Sequence, residues 1–127
     1  MELSRLTAGD QLTERQRQRL RAGLRYDRTG LSVEKLEEQA ADGRLFFLEV
    51  DAKVTLAIER YPDCLHIVSM GGEGFCGWAA VLNEALKRLA IELDVPKVSM
   101  FGRRGWRRKL RRWGWREAFT VMELQVF

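Results

Sequence analysis

The sequence predicts a single α/β domain in which a mixed sheet of about five strands carries flanking helices. Apolar residues recur at helical spacing in the first 43 residues and again after residue 78, whereas residues 44–70 show the alternating or continuous apolar runs of strands. Helical segments that interrupt strands are typical of α/β sheets. A chain of 127 residues, 46% hydrophobic and 31% charged, has the size and composition of one globular domain, here 1–127.

Residues 1–43 are predicted to form a helical N-terminal part. Thr13 and Gln16 have the spacing of a capping box, and strong helix formers follow them without a proline. Ser32 is the predicted N-cap of a second helix over 33–41, which a glycine ends. The first helix is expected to lie on the surface with an arginine-rich outer face.

Residues 44–127 are predicted to form the sheet and two further helices. Residues rich in β-formers over 45–50 and 54–60, separated by a short polar turn, indicate an antiparallel hairpin. The apolar run over 64–70 indicates a central strand that is covered on both faces.

The last third of the chain continues the same alternation. Apolar residues at helical spacing over 78–93 predict the longest helix, and 97–101 predicts a fourth strand. A last helix over 102–113 is predicted to end at Gly114 and to be followed by a final strand over 118–127.

Composition excludes several functional classes. No apolar run approaches the roughly 20 residues of a membrane span, and the N-terminus lacks the apolar core of a secretory signal, so we expect synthesis in the cytoplasm and no membrane partner. The two cysteines and the one histidine have no ligand spacing, and therefore no metal site is predicted.

Positive charge is concentrated at the two ends of the chain. Residues 101–127 carry eight Lys and Arg against two acids, while the middle of the chain is acidic. Such asymmetry indicates either a partner of opposite charge, such as nucleic acid or an acidic protein surface, or a solvated face.

Two short motifs resemble the GNAT superfamily of acetyltransferases. The segment from Gly74 to Ala79, which follows the predicted central strand, fits all but the first position of that family's signature Gln/Arg-x-x-Gly-x-Gly/Ala, and Gly114-Trp115 matches its Gly-Phe pair. The resemblance covers about residues 44–127 and implies that backbone amides at the start of the longest helix bind the pyrophosphate of acetyl-CoA. The implied cofactor-binding residues are Gly72, Gly74, Phe75, Cys76, Gly77 and Trp78.

The chain departs from the family at positions that carry chemistry. Leu110 stands where the family has the tyrosine that protonates the thiolate of coenzyme A, and Trp106 stands where it leaves room for the pantetheine arm. Glu73 places a negative charge near the implied pyrophosphate. No strand is predicted before Gln11, although the fold usually begins with one, so the resemblance implies a version of the fold reduced at the N-terminus.

Few side chains could act as a base or nucleophile. His66, Glu59 and Glu73 are candidate bases, with a structural role as the alternative for His66. Cys76 lies at a helix start, but no base is close to it in sequence, and an inert thiol is expected. The glycines around residue 72 could instead serve a turn with positive φ and bind nothing.

The basic last helix is the predicted partner-binding surface. Trp106, Leu110 and Trp113 share one helical stripe and are expected to be buried together, which leaves the arginines on the outer face. These arginines are Arg104, Arg107, Arg108, Arg111 and Arg112.

The departures favour a non-catalytic GNAT-fold protein with no cofactor. Small proteins of this type resemble those of tailed bacteriophages, which implies association with other virion proteins or with itself, and a place in the host cytoplasm or the virion. Two alternatives remain: an acetyl-CoA-dependent N-acetyltransferase, and a module that binds nucleic acid through the basic helix.

Overall fold

The computed structural model describes residues 3–6, 11–25, 30–72, 75–101, 110–116 and 124–125. Within these residues the secondary structure begins with a strand, continues with two helices and three strands, and ends with a long helix and a strand. The elements are β1 (Leu3–Leu6), α1 (Glu14–Gly23), α2 (Val33–Ala41), β2 (Leu45–Val50), β3 (Val54–Arg60), β4 (Leu65–Gly72), α3 (Phe75–Glu92) and β5 (Val98–Met100).

The strands form one mixed sheet in the order β1-β2-β3-β4-β5, and this confirms the predicted fold class. The first three pairings are antiparallel, whereas β4 and β5 are parallel because α3 connects them as a crossover. β4 lies between β3 and β5, and its apolar side chains pack in layers on both faces of the sheet, as its continuous apolar sequence predicted.

The expectation that the fold lacks its first strand is wrong. β1 pairs with β2 from Leu3, opposite Val50, to Leu6, opposite Phe47. This strand has little apolar pattern of its own because it is an exposed edge strand, and its ladder to β2 supplies the backbone hydrogen bonds. The Arg5 guanidinium also lies 4.4 Å from the centre of the Phe46 ring.

Local capping signals define both N-terminal helices. At the start of α1, Thr13 Oγ1 accepts from the Gln16 amide at 3.2 Å, and Gln16 Oε1 accepts from the Thr13 amide at 2.8 Å. At the start of α2, Ser32 Oγ accepts from the Lys35 amide at 3.2 Å. Both predicted caps are therefore confirmed, and α2 has the predicted bounds.

Two apolar layers lie on opposite faces of the sheet. One is formed between α3 and the sheet, and it includes Leu56, Ile67 and Leu86. The other is formed between the α1–α2 pair and the sheet, and it includes Leu20 and Leu36. Each layer removes the apolar face of a helix from water, at about 25 cal/mol per Å² of apolar surface.

The C-terminal part of the described chain is attached to α3. The Asn83 side chain donates from Nδ2 to the Trp113 carbonyl oxygen at 3.1 Å and accepts from Trp115 Nε1 at 2.9 Å. Gly114 has φ +91°, which agrees with its predicted role in ending a helix. Most of the predicted last helix, 102–109, and the final strand over 118–127 apart from residues 124–125 lie outside the described residues.

Candidate active site

Within the described part of the chain, β4 and β5 pair over only a short stretch and then separate. β4 is eight residues long, yet β5 pairs only with its first three, ending at Ile67 opposite Met100. Beyond that pair, the edge of β4 from Val68 to Gly72 has no strand partner on the β5 side among the described residues. A split between two parallel strands exposes main-chain amides to a ligand while the sheet holds them rigidly.

A β-bulge lies at the point where the strands separate. The register with β3 changes from Ile58 opposite Ile67 to Ala57 opposite Ser69, so Val68 is the extra residue. The bulge reverses the alternation of side chains. Ile67 and Met70 both pack in the α3 layer, although they are three residues apart. Bulges increase local twist and bend the bulged strand, and this one lies where the pairing of β4 with β5 ends.

Helix α1 packs directly against the second half of β4. A Cβ atom added to Gly71 would lie 1.9 Å from the Arg19 carbonyl oxygen, so only glycine allows this approach. The Ser69 hydroxyl, which is buried, donates to the Leu20 carbonyl oxygen at 2.8 Å. The open edge of β4 is therefore supported from the α1 side.

The predicted cofactor-binding residues lie just beyond this edge. A Cβ atom at Gly72 would lie 2.7 Å from the Lys53 carbonyl oxygen, so this glycine allows the β2–β3 turn to approach. Neither Gly71 nor Gly72 has a positive φ, which corrects the alternative of a left-handed turn at these two positions. Gly74 lies outside the described residues, and Phe75, Cys76, Gly77 and Trp78 form the first turn of α3. Their role in binding a cofactor stays a prediction.

His66 lies on β4 one residue before the strands separate. Its Nδ1 atom is 2.9 Å from the Ser99 Oγ atom on β5, and its ring meets Phe101 edge to face with centroids 4.8 Å apart. Burial of the half-exposed ring lowers the pKa of His66, while the nearby Glu59 carboxylate acts in the opposite direction. The imidazole is therefore neutral at pH 7 and able to accept a proton.

Glu59 is the β3 residue opposite His66. Its Oε2 atom accepts a hydrogen bond from the Tyr61 hydroxyl, and this bond is the main reason that the pKa of Tyr61 is raised. Two of the candidate bases, His66 and Glu59, thus lie side by side. The third, Glu73, lies outside the described residues.

A small apolar pocket lies on the α3 side of the split. Leu110 is buried in it, and Trp113 is half-buried beside it, which agrees in part with the predicted apolar stripe; Trp106 lies outside the described residues. Sequence reasoning missed Asn83 and Ser99, because a single polar residue in an amphipathic helix or a short strand carries no pattern. The pocket is lined by Leu82, Asn83, Leu86, Met100, Leu110, Trp113 and Trp115.

The predicted partner-binding arginines are only partly described. Arg111 and Arg112 are exposed, and Arg104, Arg107 and Arg108 lie outside the described residues. Binding of nucleic acid, of other proteins or of a second copy through this surface stays a prediction. Within the described ranges, no group of His, Cys, Asp and Glu side chains could hold a metal ion, and no helix is long and apolar enough to cross a membrane.

Comparison by sequence finds no matching family profile and no matching curated protein. Solved structures do match. A ribosomal-protein-alanine N-acetyltransferase from Brucella melitensis biovar Abortus 2308 matches with a TM-score of 0.61 and 16% identity over 100% of both chains. A predicted acetyltransferase with acetyl-CoA from Clostridium acetobutylicum matches with a TM-score of 0.53 and 18% identity over 73% of this chain and 71% of its own. Glucosamine-6-phosphate N-acetyltransferase from Arabidopsis thaliana matches with a TM-score of 0.55 and 13% identity over 98% of this chain and 99% of its own.

The chain has the GNAT fold. At such low identities the likeness establishes the architecture alone. The hypothesis of a non-catalytic virion protein is nevertheless wrong by this comparison, because the neighbours are acetyltransferases from two bacteria and a plant. They favour the acetyltransferase alternative. The hypothesis gave too much weight to Leu110, since one missing acid removes a contribution to the rate rather than the architecture of the site.

Proposed function

We propose that the protein is an acetyl-CoA-dependent N-acetyltransferase whose thioester enters the split between β4 and β5. The observation that carries this proposal is the separation of the two strands at Ile67 and Met100, directly beside the bulge at Val68. Because the first turn of α3 begins three residues after β4, phosphate groups at the helix N-terminus and a thioester in the split can belong to one extended ligand.

The main chain of β4 supplies the first element of catalysis. Attack of an amine on the thioester carbonyl places negative charge on the carbonyl oxygen, and amide N–H groups held in a rigid strand stabilise that charge without reorganising. The support of β4 by α1 at Ser69 and Gly71 provides this rigidity. Loss of one such donor in other enzymes costs about 10²–10³ in rate.

The buried Leu110 leaves the coenzyme thiolate without an acid from that position. An ordinary thiol has a pKa of about 8.5, so the thiolate is a tolerable leaving group near neutral pH. General acid catalysis contributes about 10²–10⁴ in rate. We therefore expect turnover that is slow but measurable.

Calorimetry with acetyl-CoA tests the proposal directly. Met100→Trp adds bulk where the strands separate, and the matched control Ile91→Trp adds the same bulk on the exposed surface of α3, where Ile91 is 79% accessible. We expect native protein and the control to bind acetyl-CoA and Met100→Trp to bind at least tenfold more weakly, after thermal melts have shown that all three fold. Absence of binding by the native protein, or equal binding by Met100→Trp, would overturn the proposal.

Acetyl transfer is measured separately by mass spectrometry of the product. A peptide with an N-terminal alanine and glucosamine 6-phosphate are suitable first acceptors, because structural neighbours are described by activity on such groups. Acetylation of either acceptor above the uncatalysed background is the expected result. Ethanolamine at high concentration serves as a general primary amine.

A further inference from the structure

One row of polar side chains crosses three strands at the base of the split. The register places Glu59 of β3 opposite His66 of β4, and His66 opposite Ser99 of β5. Directly opposite residues share a face of the sheet. Their neighbours Ile58, Ile67 and Met100 pack in the α3 layer, so the row lies on the other face.

Among the described residues, the contacts that α1 and α2 make with the sheet fall away from His66. The close contacts of α1 with β4 fall at Ser69, Met70 and Gly71, all beyond His66, and α2 packs on β2. His66 is half-buried, with the Phe101 ring against it. The half-exposed imidazole can therefore be reached by a ligand that enters the split from this face.

The hydrogen bonds of Ser99 bear on which ring nitrogen carries the proton. Ser99 Oγ lies 3.9 Å from Cys64 Sγ and 2.9 Å from His66 Nδ1. If the single hydroxyl proton points to the sulfur, the oxygen accepts from Nδ1–H, and the lone pair of the neutral ring is then on Nε2. That tautomer presents a proton acceptor away from β5.

We infer that His66 is the general base that takes the proton from the acceptor amine in the acetyl transfer proposed above, with Ser99 as the residue that positions its ring. This inference rests on the proposed function. Val68, where the split begins, is two residues from His66, or about 7 Å along the strand at about 3.3 Å per residue. The imidazole spans this distance directly or through one water molecule.

The step balances without a further reactant. The amine nitrogen forms a bond to the thioester carbonyl carbon, and its proton passes to His66 Nε2 as the nitrogen becomes acidic. The carbon–sulfur bond then breaks, and the sulfur leaves with the electron pair as a thiolate. The imidazolium returns its proton to the thiolate or to water. Glu59 stabilises the transient positive charge on the ring across one strand spacing.

The experiment uses the fact that the chain contains one histidine. With a histidine-free purification tag, a single imidazole is observed by NMR, which gives both its pKa and its tautomer. The pH dependence of acetyl transfer from acetyl-CoA to ethanolamine is measured on the same protein. We expect the acidic limb of the rate profile to follow the pKa of His66 measured in the acetyl-CoA complex.

Variants separate a catalytic role from a structural one. His66→Gln should lower kcat by about 10²–10⁴ while the Kd for acetyl-CoA stays unchanged. Ser99→Ala should move the NMR pKa and the acidic limb together and raise the fraction of the other tautomer, whereas Ser99→Thr, which keeps the hydroxyl, should restore both. Cys64→Ala is the control for loss of packing beside Ser99.

The outcomes distinguish this inference from the proposed function. Failure of the native protein to bind acetyl-CoA, or binding without any amine-dependent turnover, would overturn both. Binding and turnover with an undiminished rate in His66→Gln would overturn the role of His66 alone. An acidic limb that stays in place when Ser99→Ala shifts the histidine pKa would do the same.

Discussion

The two halves of β4 differ in how they are held. From Leu65 to Ile67 the strand is paired on both edges, and its polar side chain His66 bonds to β5. From Val68 to Gly72 the only strand paired with it among the described residues is β3, and α1 contacts it through Ser69 and Gly71. The first half thus holds a side chain in place through β5. The second half holds its main chain in place through β3 and α1, and none of the described β5 residues pairs with its other edge. In the second half, packing of α1 on the face of the sheet holds the strand where none of the described β5 residues pairs with it.

Gly71→Ala should cause the largest loss of stability, because it disrupts the packing of α1 against β4. The added Cβ would lie 1.9 Å from the Arg19 carbonyl oxygen, so the backbone of α1 must move. We expect a loss of about 3 kcal/mol in the free energy of unfolding, at the upper end for overpacked sites. Denaturant unfolding measures it. Gly30→Ala is the matched control, because a Cβ there meets nothing within 4 Å and only its φ of +75° is unfavourable. Equal losses for the two variants would contradict the role of close packing.

Ser69→Ala tests the hydrogen bond that joins the second half of β4, from Val68 to Gly72, to α1. The variant removes the donor to the Leu20 carbonyl oxygen, which still accepts from the Leu24 amide at 3.0 Å. We expect a loss of about 1 kcal/mol, the usual net value for such a bond. Acetyl-CoA binding should weaken as well, because the edge is less rigid. Ser99→Ala removes a hydroxyl of β5 beside the first half of β4 and should cost less stability than Ser69→Ala; a larger cost would contradict the comparison.

The pH dependence of the free energy of unfolding reports on the half of β4 that contains His66. Since the pKa of His66 is lowered in the folded protein, the unfolded chain binds more protons between that lowered pKa and about 6.5, the ordinary value. The free energy of unfolding should therefore contain the full contribution of His66 above about pH 6.5. It should fall as the pH decreases from that value through the lowered pKa. His66→Gln should remove this component. Parallel curves for the native protein and the variant in denaturant unfolding from pH 5 to 8 would show that His66 is not desolvated.

Glu59→Gln should give the smallest effect of these variants, and the effect should be specific to the pKa of His66. Removal of the carboxylate opposite His66 leaves burial as the remaining influence, so the histidine pKa should fall further below its ordinary value. NMR titration of the single histidine measures this shift. Glu49→Gln, which changes a carboxylate on β2 rather than on β3, is the control and should leave the pKa in place. A histidine pKa that rises in Glu59→Gln would contradict the electrostatic pairing in the row.

The elements that depend on local interactions were predictable from the amino-acid sequence. The Thr13 and Ser32 caps and the bounds of α2 were predictable, because capping residues bond to amides within three positions of themselves. The hairpin and the long helix followed from periodicity, although α3 begins at Phe75 rather than at Trp78. The glycine-containing start of that helix was sufficient to suggest the GNAT fold and acetyl-CoA as a possible ligand.

The geometry of the candidate site depends on contacts between segments that are distant in the chain. β1 is a strand because β2 pairs with it, and Val68 forms a bulge because of its register against β3; neither property is encoded in a local pattern. The sequence indicated His66 and Glu59 as separate candidates, but it gave no sign of Ser99. Ser99 lies 33 positions after His66, and the two side chains meet only because β4 and β5 pair in parallel. Strand register is fixed by contacts between distant segments, and for this reason the row at the split became visible only in three dimensions.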